Sequence, residues 1–159
     1  MKTVHKSVLI WYSAEEMFSL VTDVDRYPAF LPWCDQAKLL SQEPDGVTAE
    51  IGIAFSGIHQ TFVTRNTHTP GRRVHLSLVK GPFSQLEGEW LFAPLGPPAD
   101  AAGDLAGEGA GVPRACRVDL RLNYSFDNAA LSALVGPVFD RIAGSLVDAF
   151  VKRAEQVYQ

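Results

Sequence analysis

The side chains best equipped for chemistry in this sequence are four histidines (His5, His59, His68 and His75), two cysteines (Cys34 and Cys116), Tyr124 and Arg65. A histidine is the natural proton shuttle near neutral pH, and closely spaced pairs make zinc sites. None of the four forms a His-x-His or His-Glu-x-x-His pattern, so no metal-dependent hydrolysis is signalled. Strand alternation sets His59 opposite Ile58 and Phe62, and His75 opposite Val74 and Leu76, which turns both toward water. Cys34 and Cys116 fit no metal-ligand spacing and read as reduced thiols, as in a cytoplasmic protein. Cys34 sits beside a proline-rich elbow and reads as structural rather than nucleophilic. No glycine-rich phosphate loop is present. Tyr124 falls on the inner face of its strand, where its hydroxyl either orients a ligand carbonyl or only packs. Arg65 is either an interior cation for a polar headgroup or an outer salt-bridge partner; parity with Phe62 and Thr64 favours the outer placement. A catalytic set is therefore not assigned.

Binding asks for less: a dry cavity and a door. Trp90, Phe92, Leu120, Leu122, Tyr124, Ile142, Leu146 and Phe150, with Phe62 and Phe139, supply apolar surface that either lines a cavity or fills a solid core. The residues alone leave both open. The door would be Asp25-Arg26-Tyr27-Pro28-Ala29-Phe30-Leu31-Pro32-Trp33-Cys34. Each proline fixes its own φ and pushes the preceding residue out of the helical region. The result is a short, stiff, apolar elbow in which Tyr27, Phe30, Leu31 and Trp33 are the candidate ligand contacts. Tyr27 and Trp33 also suit a transient membrane-surface contact.

The elements that must position these residues follow from hydrophobic period. Val4 to Trp11 reads as a strand. Ser13-Ala14-Glu15-Glu16 is a capping box that opens a helix striped by Met17, Leu20, Val21 and Val24. After the elbow come strands at Ala37–Ser41, Val47–Phe55, Ile58–Thr67, Arg73–Val79, Gln85–Phe92 and Cys116–Phe126, separated by turns such as Pro44-Asp45-Gly46 and Pro70-Gly71. Arg117 and Arg121 would pair with Glu87 and Glu89 across a ladder. Residues 96–113, rich in glycine, alanine and proline, read as a flexible hairpin insert. Everything after Asn128 reads as one amphipathic helix striped by Leu131, Leu134, Val135, Val138, Phe139, Ile142, Leu146, Phe150, Ala154, Val157 and Tyr158. Gly136-Pro137 predicts a kink or break near its start. A single α+β domain results: a curved antiparallel sheet of about seven strands wrapped around the long helix.

The 159 residues are enough for one buried core, and 47% hydrophobic with 20% charged is ordinary for a globular chain. The net charge of −4 argues against a broad nucleic-acid face, so DNA is not an expected partner. Two small basic groups stand out: Arg72, Arg73 and Lys80 near one hairpin, and Lys152 with Arg153 on the last helix. The N-terminus has no apolar leader, and no stretch approaches the ~20 apolar residues of a membrane span. Nothing demands a partner chain, so a monomer is expected.

Several runs resemble a known family. Tyr12-Ser13-Ala14-Glu15, Tyr27-Pro28-x-Phe30-Leu31-Pro32, Thr61-Phe62-x-Thr64-Arg65-Asn66 and Gly81-Pro82-Phe83-x-x-Leu86-x-Gly88-x-Trp90-x-Phe92-x-Pro94-Leu95 carry the resemblance. Ala115-Cys116-Arg117 and Ala149-Phe150-x-x-Arg153-Ala154-x-x-Val157-Tyr158 extend it to nearly the whole chain. They are similar to the START-like family that contains coenzyme Q-binding proteins and the bacterial ribosome-association toxin. The resemblance implies a helix-grip fold with an internal hydrophobic tunnel, and it favours the cavity over the solid core. It implies two roles. One is non-enzymatic binding of ubiquinone or a related polyprenyl lipid in support of respiration, with no other cofactor, in the cytoplasm and at the inner membrane face. The other is binding the large ribosomal subunit and blocking subunit joining. A third role, aromatic polyketide cyclase, follows only from shared fold, which does not carry chemistry.

Overall fold

A computed structural model describes residues 2–55, 57–95 and 115–158. The expected insert at 96–113 lies outside the described residues. Seven strands form one sheet: β1 (Lys2–Ile10), β2 (Cys34–Glu43), β3 (Gly46–Phe55), β4 (Ile58–Thr69), β5 (Arg73–Lys80), β6 (Phe83–Leu95) and β7 (Ala115–Phe126). The order is β1-β7-β6-β5-β4-β3-β2, with every pair antiparallel. Strands two to seven form a meander, and β1 closes against β7. Most strands run a few residues beyond their apolar alternation, because backbone pairing continues where side chains turn polar.

Helix α1 (Ala14–Thr22) starts where the capping box predicts. The Glu16 amide donates to Ser13 Oγ at 3.0 Å, and the Ser13 amide donates to Glu16 Oε1 at 2.8 Å. A 3-10 turn (Val24–Arg26) leads into the one-turn helix α2 (Tyr27–Phe30), which holds Pro28 in its first turn, where no amide hydrogen is needed. The elbow is thus the short, stiff connection expected.

Helix α3 (Ala129–Val157) is capped by the Asn128 side chain, which accepts from the Leu131 amide. It covers the inner sheet face, packing on β1, β7 and α1. It runs through Pro137 as one continuous helix, so the break allowed by the sequence is not seen. Gly136 has no Cβ to clash with the proline ring, and the flanking Val135 and Phe139 are buried. Leu134 and Val157, expected in the buried stripe, are exposed, while their neighbours Val135 and Ala154 are buried. One sequence expectation is corrected here. By length and composition α3 is apolar enough to cross a membrane, and its apolar stripe is instead spent on the sheet.

The outer face is laced by ion pairs. Glu89 bonds Arg73 of β5 at 2.8 Å, and Glu87 faces His75 at 3.4 Å, so these carboxylates pair with β5 rather than with the arginines of β7. Arg117 instead bonds Asp119 on its own strand. Arg72 bonds Glu15 at 3.0 Å. Lys80 lies at the far end of β5 from Arg72 and Arg73, so these three do not form a basic group.

Candidate functional site

The inner face of the sheet and α3 enclose an apolar cavity of about 100 Å³. Its floor is Ile51 and Ile53 of β3, Phe62 of β4, Val74 and Leu76 of β5, Leu86 and Trp90 of β6 and Leu122 of β7. Its roof is Phe139, Ile142, Leu146 and Phe150 of α3, at the one-face spacing of a helix. Val21, Val24, Tyr27 and Trp33 close one side.

Among the candidates from sequence, Tyr27, Trp33, Phe62, Trp90, Leu122, Phe139, Ile142, Leu146 and Phe150 therefore meet around one space. Five do not reach it. Phe30 stands behind Tyr27, its ring edge-on to Phe150 at 5.2 Å, with Arg153 stacked 5.0 Å over it. Leu31 is wholly buried beneath the elbow. Phe92 stacks on Trp90 and meets Phe18 of α1 edge-on, beyond the end of the cavity. Leu120 is wholly buried away from it. Tyr124 is also buried, but its hydroxyl donates to Asp140 Oδ1 at 2.5 Å and is not offered to a ligand. Lys2 Nζ takes the other Asp140 oxygen at 2.9 Å, so this trio pins α3 to β1 and β7.

The elbow is latched. The Tyr27 hydroxyl donates to the Val21 carbonyl, and burial pushes that phenol well above its ordinary range. The Tyr27 and Phe30 rings both meet Phe150 edge-on, at 5.5 and 5.2 Å. Trp33 is 8% exposed and faces the cavity, so it is not the membrane-surface aromatic the sequence suggested. The exposed tryptophan is Trp11, 87% exposed just past the end of β1.

Sequence reading missed the polar side of the cavity. Thr64, Asn66 and His68 alternate along β4 and all three line it. Thr64 and Asn66 are buried, and Thr64 Oγ1 donates to Asn66 Oδ1 at 2.7 Å. His68 meets Phe18 edge-on at 5.7 Å. Burial, and then the nearby Arg65 guanidinium, hold the His68 imidazole below its ordinary pKa, which keeps it neutral at pH 7. The signal was present: three polar residues at period two in phase with Phe62. Polar residues at that period ordinarily mark the wet face, which is why it went unread.

The remaining chemistry-bearing groups stand elsewhere. Arg65 points outward to Glu43 and Asp45, at 3.0 and 2.6 Å. His59 is exposed and bonds Asp35 at 2.7 Å, and His5 faces Asp119 at 3.4 Å. Burial pushes the Cys34 thiol up to about 11, and its Sγ donates to the Gln36 carbonyl. A thiol so held is a poor nucleophile. Among the described residues no three His, Cys, Asp or Glu side chains gather as a metal site.

Residues 10–151 match the family model described as polyketide cyclase / dehydrase and lipid transport. The ribosome association toxin RatA of Vibrio cholerae is 40% identical over 99% of both chains. The mitochondrial coenzyme Q-binding protein COQ10 homolog B of Xenopus laevis is 29% identical over 96% of this chain and 58% of its own length. The Zhui aromatase/cyclase from Streptomyces sp. R1128 superposes with a TM-score of 0.79 over 99% of this chain and 96% of its own, at 14% identity, a likeness of fold alone. With this sheet, this helix and these matches, the chain belongs to the START-like polyketide cyclase / dehydrase and lipid transport family.

Proposed function

We propose that this protein is a non-catalytic carrier that encloses a neutral, ring-bearing apolar molecule between sheet and α3, with a prenylated quinone as the ligand class. The observation that carries this reading is the apolar cavity under a latched elbow. Its 100 Å³ is below the ~150 Å³ that admits benzene, so the cavity is a closed form that a ring must enlarge. The elbow is the segment able to yield. It is short, it rests on ring edges, and beyond it lies solvent. The coenzyme Q-binding relative supports this ligand class. Among the described residues His68 is the one imidazole on the cavity wall and no carboxylate, lysine or arginine lines it, so a general base there would act without a charged partner in the cavity. The carrier would act as a monomer in the cytoplasm, collecting its ligand at a membrane surface.

Ribosome association is the second reading, favoured by the 40% identity to RatA across 99% of both chains. It would use the outer surface, and the two roles are not exclusive. Organic extraction of gently purified protein followed by mass spectrometry tests the first. A stoichiometric quinone or prenyl lipid supports it, and an empty protein from quinone-rich cells overturns it. Co-sedimentation with large-subunit fractions on a sucrose gradient tests the second.

A further inference from the structure

We infer that Thr64, Asn66 and His68 form a hydrogen-bonding subsite that receives the oxygen-bearing ring of a neutral ligand and fixes which way that ligand lies in the cavity. The inference rests on the carrier reading above and adds what the cavity recognises. Polar side chains facing a mostly apolar space cost stability unless something satisfies them. The Thr64 hydroxyl is spent on Asn66 Oδ1, and because no buried side-chain nitrogen or oxygen among the described residues lacks a partner, the Asn66 amide N–H groups face open space, where a ligand can reach them. A neutral His68 adds one ring N–H and one ring acceptor. The subsite therefore offers N–H donors to a ligand, and it suits carbonyl or methoxy oxygens on a ring.

Charge sharpens the selection. Arg65, the nearest cation in sequence, is turned outward onto Glu43 and Asp45. Among the described residues no lysine or arginine on the cavity wall balances a carboxylate or phosphate, and burying an unpaired anion is prohibitive. Fatty acids and phospholipid headgroups are selected against.

Position sets orientation. His68 lines both this cavity and an outer cleft of about 460 Å³ that it shares with Phe18, Glu43 and Asp45. The imidazole is the partition between them. Tyr27 and Phe150 close the elbow side. The ring thus sits on β4, and an apolar tail runs past Trp90 and Phe150 to leave at the elbow.

Displacement of N-phenyl-1-naphthylamine, a neutral apolar dye, tests this on the full chain. Decylubiquinone should displace the dye at a concentration at least tenfold lower than decylbenzene, which keeps the tail and lacks the ring oxygens. Asn66→Leu should raise the decylubiquinone requirement about tenfold and leave decylbenzene unchanged. Should Asn66→Leu not fold, Thr64→Val, nearly isosteric, should cost decylubiquinone three- to tenfold through loss of the bond that orients Asn66. An unchanged quinone preference in the folded variant overturns the subsite while leaving the carrier intact. Palmitate displacing dye better than decylubiquinone overturns the neutral selection. A wild-type protein displaced by neither neutral ligand overturns the carrier reading itself.

Discussion

Replacing Phe150 with leucine should loosen the elbow without emptying the core. Phe150 is 2% exposed and makes three edge-on ring contacts: Trp90 at 5.2 Å, Phe30 at 5.2 Å and Tyr27 at 5.5 Å. Such a pair contributes about 0.5–1.5 kcal/mol beyond area burial, and a full Phe→Ala truncation costs about 3–5 kcal/mol. Leucine keeps most of the buried volume and loses the ring edges. The three contacts share one ring and do not add fully, so the expected cost is about 2 kcal/mol. For a chain of this size that lowers Tm by about 4–8 °C. Two of the three lost contacts belong to the elbow, so opening should become easier than global unfolding. Urea denaturation gives the stability change, with an unchanged slope showing that the unfolded state is not involved. Stopped-flow dye entry gives the opening rate, which should rise severalfold. A stability loss below about 0.5 kcal/mol with an unchanged entry rate would refute the latch.

Three further outcomes follow from the geometry. Burial acts to raise the Asp140 carboxyl, but the Tyr124 hydroxyl and the Lys2 ammonium outweigh it and hold the group below its ordinary value. A depressed folded pKa contributes stability above the unfolded value of ~3.9 and loses it as pH falls through the folded one. Asp140→Asn should therefore lower the urea midpoint at pH 7, with the gap to wild type narrowing as the pH falls below ~3.9. A Cβ at Gly88 would stand 2.5 Å from Leu122 Cδ2 and 2.7 Å from the Arg121 carbonyl oxygen, which is backbone and yields little. Gly88→Ala should cost about 1–3 kcal/mol by the same denaturation, and a neutral result would mean that β6 and β7 shift freely. Burial pushes both cysteine thiols up to about 11, so neither should react with Ellman's reagent at pH 8 until urea unfolds the chain.

The fold was legible because each element carries two agreeing signals. Val118, Leu120, Leu122 and Tyr124 alternate through β7, and all four are buried. Ser13 and Glu16 mark the start of α1 and bond each other as their spacing requires. The site was legible in part. Parity places Trp90 and Phe92 on one face correctly, but parity says nothing about distance along the strand, so Phe92 and Leu120 fall beyond the cavity. Tyr124 shows the same limit, since its partner Asp140 comes from α3 and no local pattern announces that pairing. The β4 stripe went unread for a different reason. Thr64, Asn66 and His68 break the rule that inward residues are apolar, and sites of function are where that rule is expected to fail.

That broken rule separates the two candidate roles. A protein that meets the ribosome through its surface alone gains nothing from the Thr64–Asn66 pair facing an apolar space. Replacing both members of a buried polar pair by apolar groups of similar shape is neutral or stabilising, whereas replacing one strands the other. Stability given up in this way is the usual mark of a site retained for function. Asn66→Leu combined with Thr64→Val should therefore be as stable as wild type, or more so, when no ligand is present. The order should reverse with excess decylubiquinone, because a ligand stabilises only the chain that binds it, by about 2.7 kcal/mol at a hundredfold excess over Kd. Paired melting curves with and without the quinone read both effects in one experiment. If the double variant is destabilised by about 2 kcal/mol or more without ligand, then the Thr64–Asn66 pair is a structural strut rather than a recognition group. The same variant placed on a sucrose gradient divides the roles further. Unchanged ribosome association with lost quinone stabilisation would assign one role to the outer surface and the other to the cavity.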